Sequence, residues 1–317
     1  METLLKKESI ELTGLIMDKQ EECAMCGEYT LPDYCPDMAV ILKCFVYPRL
    51  LNRQWSADKL LVDGSAMARV LYLSDDRCGV HSVEFSVPFS CALRSEGAMD
   101  GTVAEIDLTT KYVNCRALTS RKLEVRGMVL ISVCAESVER REVGCASAVE
   151  PLHVQTKELA TTTLCDTVEK FVTIGESVEF DHSLPPAQML LGGECRAVVR
   201  ECKILNGKSI VKGQIYVHQL YTDSIDGDTM HCLHTSLPFS QILDVPCATE
   251  GSPYTVSVKV ISDTERCVVG PDGENTMLDV SVKLLLQLRV YRAGHITVVN
   301  DAFHCGYPVS LTKEEMA

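Results

Sequence analysis

The chain has 317 residues, 46% of them apolar, and carries 30 Lys plus Arg against 44 Asp plus Glu, a net charge of −14. That length is enough for about two domains, and an acidic balance with no basic cluster argues against nucleic acid or an anionic membrane as a partner. No run approaches the roughly 20 apolar residues of a membrane span.

In chain order, the opening METLLKKESIELTGLIMDKQ is broken by charges and does not read as a secretory signal. EECAMC then offers Cys23 and Cys26, half of a structural zinc set, which Cys35 and His81 complete only through a particular fold. The stretch LPDYCPDMAVILKC (31 to 44) raises two readings. Asp33 and Asp37 are paired acids beside Cys35, or the segment is a structural joint whose Met38, Val40, Ile41 and Leu42 dock on a sheet. PDMAVILK also allows a short helix with proline in its first turn.

DKLLVDGSAMARVLY (58 to 72) alternates as a strand and lies over GKSIVKGQIYVHQLY (207 to 221) at a constant shift, which pairs Gly64 with Gly213 and Tyr72 with Tyr221. The same shift carries Pro36 onto Pro185. Between strands, SDDRCG is a turn in which Asp75 and Asp76 are solvated. SVEFSVPFS (82 to 90) matches CLHTSLPFS (232 to 240), and KLEVRGMVLISVCA (122 to 135) matches MLDVSVKLLLQLRV (277 to 290).

A structural repeat must keep its apolar residues on one strand face. Val62, Gly64, Ala66 and Ala68 do correspond in parity to Val211, Gly213, Ile215 and Val217, and Leu123, Val125, Val129, Ile131 and Val133 to Leu278, Val280, Leu284, Leu286 and Leu288. Glu124 and Arg126 match Asp279 and Ser281 on the polar face.

Alternation fades over GCASAVEPLHVQTKELATTT, which places the domain boundary within residues 145 to 165 and the domains at 1–150 and 151–317. KFVTIGESVEF resumes the β pattern. LPPAQMLLGG allows a second short helix stopped by Gly192 and Gly193, Asn206-Gly207 predicts a two-residue hairpin, and DSIDGD is the turn matching SDDRCG. His231, Cys232 and His234 form a potential ligand set, but strand alternation splits it and its geometry is poor. The acidic tail with Glu314 and Glu315 reads as solvated. The predicted fold is therefore all-β: two tandem β-sandwich or open-barrel-like domains, each with a short helix.

Sixteen cysteines are scattered rather than spaced as a small disulfide framework, so mostly reduced, partly buried thiols are expected. The hydrolase elbow, phosphate loop, dinucleotide fingerprint and zinc-protease motif are all missing from the sequence. The expectation is a non-enzyme that needs no cofactor and no metal.

The order LPDYCPDMAVILK, VDGSAMARVLY, VEFSVPFS and LTSRKLEVRGMVLISV resembles the SPOCS domain of SipL-type spore coat morphogenesis proteins. SIVKGQIYVHQLYTD, LHTSLPFSQILDVP and MLDVSVKLLLQL are similar to the same pattern, in a more divergent second copy. The resemblance implies a scaffold made in the mother-cell cytoplasm that joins the spore coat, with other coat or morphogenesis proteins as partners. Self-association through sheet edges is a further expectation. Proteins of this type carry a C-terminal LysM segment that engages the coat's morphogenetic ATPase, and YPVSLTKEEMA does not resemble one. The first copy's Asp33, Pro36, Asp37, Arg121 and Lys122 are the candidate contact or structural motif. The alternative is a general β-sandwich module for a small ligand or carbohydrate, which the single tryptophan, Trp55, disfavours.

Overall fold

The computed structural model describes residues 5–56, 58–75, 79–95, 102–149, 151–224 and 229–313. The first unit contains β1 (Leu5–Thr30), β2 (Met38–Ser56), β3 (Lys59–Ser74), β4 (Val80–Arg94), β5 (Val103–Ala117) and β6 (Lys122–Ser147). The second repeats this order with β7 (Leu152–Glu179), β8 (Met189–Leu205), β9 (Lys208–Thr222), β10 (Met230–Asp244), β11 (Tyr254–Val268) and β12 (Met277–His304). Every pairing is antiparallel. In each unit, one sheet is β1-β6-β5 or β7-β12-β11, and the other is β2-β3-β4 or β8-β9-β10.

The strand parity of the sequence becomes the core of each sandwich. Leu60, Val62, Ala66, Ala68 and Val70 of β3 face Leu123, Val125, Val129, Ile131 and Val133 of β6 across the first interior. Val211, Ile215 and Val217 of β9 face Leu278, Val280, Leu284, Leu286 and Leu288 of β12 across the second. On the other face, Glu124 is buried rather than solvated, because Arg116 (2.6 Å) and Arg126 (2.7 Å) lie over it.

Gly64 and Gly213 occupy matching places for a steric reason. Gly64 stands opposite Phe89 and Gly213 opposite Phe239, the two phenylalanines of the repeated PFS triplets. Each ring lies across the glycine of its neighbouring strand, so that a Cβ at either glycine would come within 3.0 Å of ring carbons. A phenylalanine that covers a strand glycine restores the contact area the glycine lacks. Gly207 has φ +77° in the two-residue β8–β9 turn, as the Asn-Gly pair requires.

The expected short helices do not form. Residues 31–37 and 180–188 are turns and extended chain, and PDMAVILK and QMLLGG instead run into edge strands β2 and β8. Pro32, Pro36, Pro185 and Pro186 supply no N–H and push their predecessors toward extended conformations. The apparent helical spacing of β2 comes from register shifts between Met38 and Val40 and between Ile41 and Lys43. Met38 is buried and Ile41 packs on the core, whereas Val40 and Leu42 are exposed.

The segment between the two units is strand on either side of a short break. Strand β6 runs to Ser147 and β7 starts at Leu152. Beyond the third strand of each sheet, β1 with β6 and β7 with β12 continue as two-stranded ribbons, pairing Leu5 with Ser147 and Leu152 with His304. The described side chains of residues 144–163 in these ribbons are mostly exposed or half-buried, and without a buried face a strand has no reason to alternate. Asp76, residues 225–228, Glu314 and Glu315 lie outside the described residues, and no described helix is long and apolar enough to cross a membrane.

Candidate functional site

The stretch that carries Asp33, Pro36 and Asp37 takes the chain from one sheet of the first sandwich to the other. It ends β1 beside the β5–β6 turn, residues 118–121, and the two loops are knitted together. Leu31 N donates to the Arg121 carbonyl (2.8 Å) and Met38 N to the Ser120 carbonyl (2.7 Å). The Arg121 guanidinium then reaches into the joint. Nη1 donates to Asp37 Oδ1 (2.6 Å) and the Cys35 carbonyl (3.2 Å), and Nη2 to the carbonyls of Pro32 (2.8 Å) and Leu31 (3.2 Å). Ser120 Oγ donates to Asp37 Oδ2 (2.9 Å). The hydrogen bond from Arg121, followed by that from Ser120, holds the Asp37 carboxyl below its ordinary value.

The other candidates are placed more loosely. Asp33 is fully exposed, with one oxygen 4.0 Å from Arg121. Lys122 pairs with Glu28 across β1 and β6. The Pro36 carbonyl accepts the buried Tyr72 hydroxyl (3.3 Å), and the second unit repeats this bond from Tyr221 to the Pro185 carbonyl (2.9 Å). The second joint has backbone counterparts to the first, Phe180 N to the Thr276 carbonyl (2.8 Å) and Ala187 N to the Asn275 carbonyl (2.9 Å). Proline, tyrosine and backbone therefore recur, whereas the Asp37–Arg121 clamp belongs to the first unit.

Cys23 and Cys26 fall on opposite faces of β1, one buried and one exposed. The Cys23 thiol donates to the Ser90 carbonyl (3.4 Å), while Cys35 lies at the joint and His81 packs on Tyr72 (5.7 Å). A different trio converges: donor atoms of Cys195, Asp263 and Glu265 lie within 4.8 Å of one another. The Cys195 thiol donates to Glu265 (3.2 Å), and Arg49 donates to Asp263 (2.6 Å). Burial, with the negative charge of Asp263, raises the Glu265 carboxyl above its ordinary value. Among the described cysteines, Cys165 and Cys247 form a disulfide and thirteen are free.

The trio belongs to a larger feature that sequence reasoning missed, a polar seam between the units. Arg49 and Arg53 of β2 reach Asp263 and Glu169, and Arg69 of β3 bonds both Glu84 and the Gly193 carbonyl. In return, Lys259 of β11 reaches Asp107 (2.7 Å) and the Ile106 carbonyl (2.6 Å). Arg289 of β12 lies between Glu105 and Glu136, and the Tyr291 hydroxyl also donates to Glu136 (3.0 Å). Leu71, Val80 and Leu191 add a small apolar contact beside it. The available signal was Arg49 and Arg53 close together in an acidic chain, and nothing in one sequence pairs them with carboxylates more than 100 residues away.

Neither the curated proteins nor the solved structures gave a match. The family model described as SipL, SPOCS domain, matches twice, at residues 37–118 and 186–266. Each match begins at the joint and spans the four strands β2–β5 or β8–β11. The flanking strands β1 and β6, or β7 and β12, complete the sandwich around it. The two matches take in just over half of the chain, and the chain belongs to the SipL SPOCS-domain family, as two tandem copies.

Proposed function

We propose that the protein is a non-enzymatic structural and interaction component of endospore coat assembly, made in the mother-cell cytoplasm and then carried into the coat. The observation that supports this reading is the tandem occurrence of the SPOCS unit in sandwiches braced to each other by ion pairs running in both directions. Family membership points to sporulation, and a braced pair of units suits a scaffold because it fixes the spacing of the surfaces it presents. Other coat or morphogenesis proteins are the proposed partners. Edge strands and ribbons give them backbone groups to pair with, and the same edges allow self-association.

A carbohydrate module is less well supported. Sugar sites use exposed aromatic platforms, whereas Trp55 packs against the first core. A fluorescent fusion in an endospore-forming host tests the proposal. The expected result is signal that starts during sporulation in the mother cell and then rings the developing spore. Constant expression through vegetative growth with diffuse signal refutes it.

A further inference from the structure

On one open side of the first sandwich, edge strand β2 of one sheet meets edge strand β5 of the other, with Cα atoms within 8 Å. Two contacts across this gap show that the strands run in opposite directions. Thr110 Oγ1 of β5 donates to the Val46 carbonyl of β2 (2.8 Å), and Arg53 Nη1 of β2 donates to the Ala104 carbonyl of β5 (2.8 Å). Toward the other end of the gap lie Cys44 of β2 and Cys115 of β5, whose thiols are each other's hydrogen-bond partner. Both pack on the first core while staying partly open to solvent, and neither the joint nor the seam uses them.

The contact between the thiols has a direction. The hydrogen bond from Cys44 holds the Cys115 thiol below its ordinary value, and the same bond, followed by burial, holds Cys44 above. Cys115 is therefore the readier thiolate of a partly exposed pair, with a second sulfur beside it. The second unit provides an internal comparison. Cys44 stands opposite Val70 and Cys115 opposite Val125, and at the matching register positions the second unit has Gly193, opposite Gln219, and Glu265, opposite Val280. Its disulfide, Cys165–Cys247, instead ties β7 to the chain just beyond β10, at the other open side of that sandwich.

We propose that Cys44 and Cys115 are an oxidation site, at which a low-molecular-weight disulfide of the glutathione class converts the two thiols into a disulfide between the sheets. The Cys115 thiolate attacks one sulfur of the oxidant, whose S–S bond breaks, and the first glutathione leaves with the proton that Cys115 gave up. The Cys44 sulfur then attacks the Cys115 sulfur, the mixed disulfide breaks, and the second glutathione carries away the Cys44 proton. Two protein thiols are oxidised and one oxidant disulfide is reduced to two thiols. The position of the bond gives it a structural consequence. Strand β2 holds Arg49 and Arg53 and β5 holds Glu105 and Asp107, all paired with charges of the second unit. Closing the disulfide ties together two strands that grip the second unit.

The test uses the full chain, reduced and then equilibrated in glutathione buffers of increasing oxidised fraction before the remaining thiols are blocked. Trypsin releases Cys44 within residues 44–49 and Cys115 within residues 112–116, each the only cysteine of its peptide, so mass spectrometry without reduction reads the crosslink directly. The expected result is a 44–115 linked peptide formed in the folded chain. The urea midpoint by Trp55 fluorescence should rise on oxidation, and Cys44→Ser should abolish that rise. Cys44→Ser should also trap glutathione on Cys115, whereas Cys115→Ser should leave Cys44 about tenfold less modified. No linked peptide in excess oxidised glutathione overturns the proposal, as does a linked peptide that forms only after urea has unfolded the chain. Equal glutathione capture at the remaining thiol of the two variants overturns the order of attack.

Discussion

The two glycine–phenylalanine crossings give matched sites at which one substitution should behave differently. A Cβ on Gly64 meets ring atoms of Phe89 and nothing else among its three nearest neighbours, whereas a Cβ on Gly213 meets the Phe239 ring and also the backbone carbonyl of Val198. Alanine in a strand otherwise gains about 0.4–1 kcal/mol from a stiffer unfolded chain, and overpacking in a closed core costs about 1–3 kcal/mol. Gly64→Ala should therefore lose about 1–2 kcal/mol as the ring shifts. Gly213→Ala should lose about 3 kcal/mol or more, because the Val198 carbonyl belongs to the sheet and cannot step aside.

A double-mutant cycle separates the two causes. Phe89→Leu removes the ring, so the 64/89 cycle should show a rescuing coupling of about 1–2 kcal/mol, and the 213/239 cycle under about 0.5 kcal/mol. Urea unfolding reads both. Trp55 is the chain's one tryptophan and sits in the first unit, so its fluorescence follows that unit while circular dichroism follows both. Equal losses with equal rescue at the two sites, or neutral alanines at both, would refute the packing argument.

Three further outcomes are expected. Arg289 is about 9% exposed between Glu105 and Glu136, so Arg289→Ala should cost about 3 kcal/mol by leaving two carboxylates facing each other; Trp55 fluorescence and circular dichroism should unfold together in the parent and apart in the variant, and coincident curves in both would count against the brace. Glu265 has its carboxyl raised by burial, so between its unfolded value near 4.5 and the higher folded value the native state holds the extra proton; stability is then lost as pH rises through that window, and Glu265→Gln should flatten the urea-midpoint profile there. Cys165 and Cys247 close a loop of 82 residues, so Cys247→Ser should lower stability by about 2–4 kcal/mol, and an unchanged urea midpoint would show that the crosslink contributes nothing.

The repeat was legible because duplicated physics left duplicated residues. Gly64 and Gly213 each lie under a ring, and Tyr72 and Tyr221 each bond a proline carbonyl. Strand parity also located both cores, since a buried face leaves one residue in two apolar. The joint misled because proline followed by an apolar run fits either a helix start or a bulged edge strand, and the deciding register shifts depend on a partner strand. The seam and the Cys44–Cys115 contact were hidden for a related reason. Each depends on which residues stand opposite, and one sequence shows periodicity along a strand but not register between distant ones.

The pairing of each unit's first strand with its last has a consequence for synthesis on the ribosome. Strand β1 emerges first, yet its partner β6 (Lys122–Ser147) is the last strand of the unit to be made. Until then, Leu5–Thr30 is an unpaired strand, and closure over such a sequence distance is slow. Two nascent chains close together could exchange these strands, each lending its β1 to the other's β6 with the β1–β6 ladder retained and the 31–37 joint opened as the hinge. High local expression would favour such exchanged dimers, which size exclusion would resolve from monomers and which mild urea would convert back.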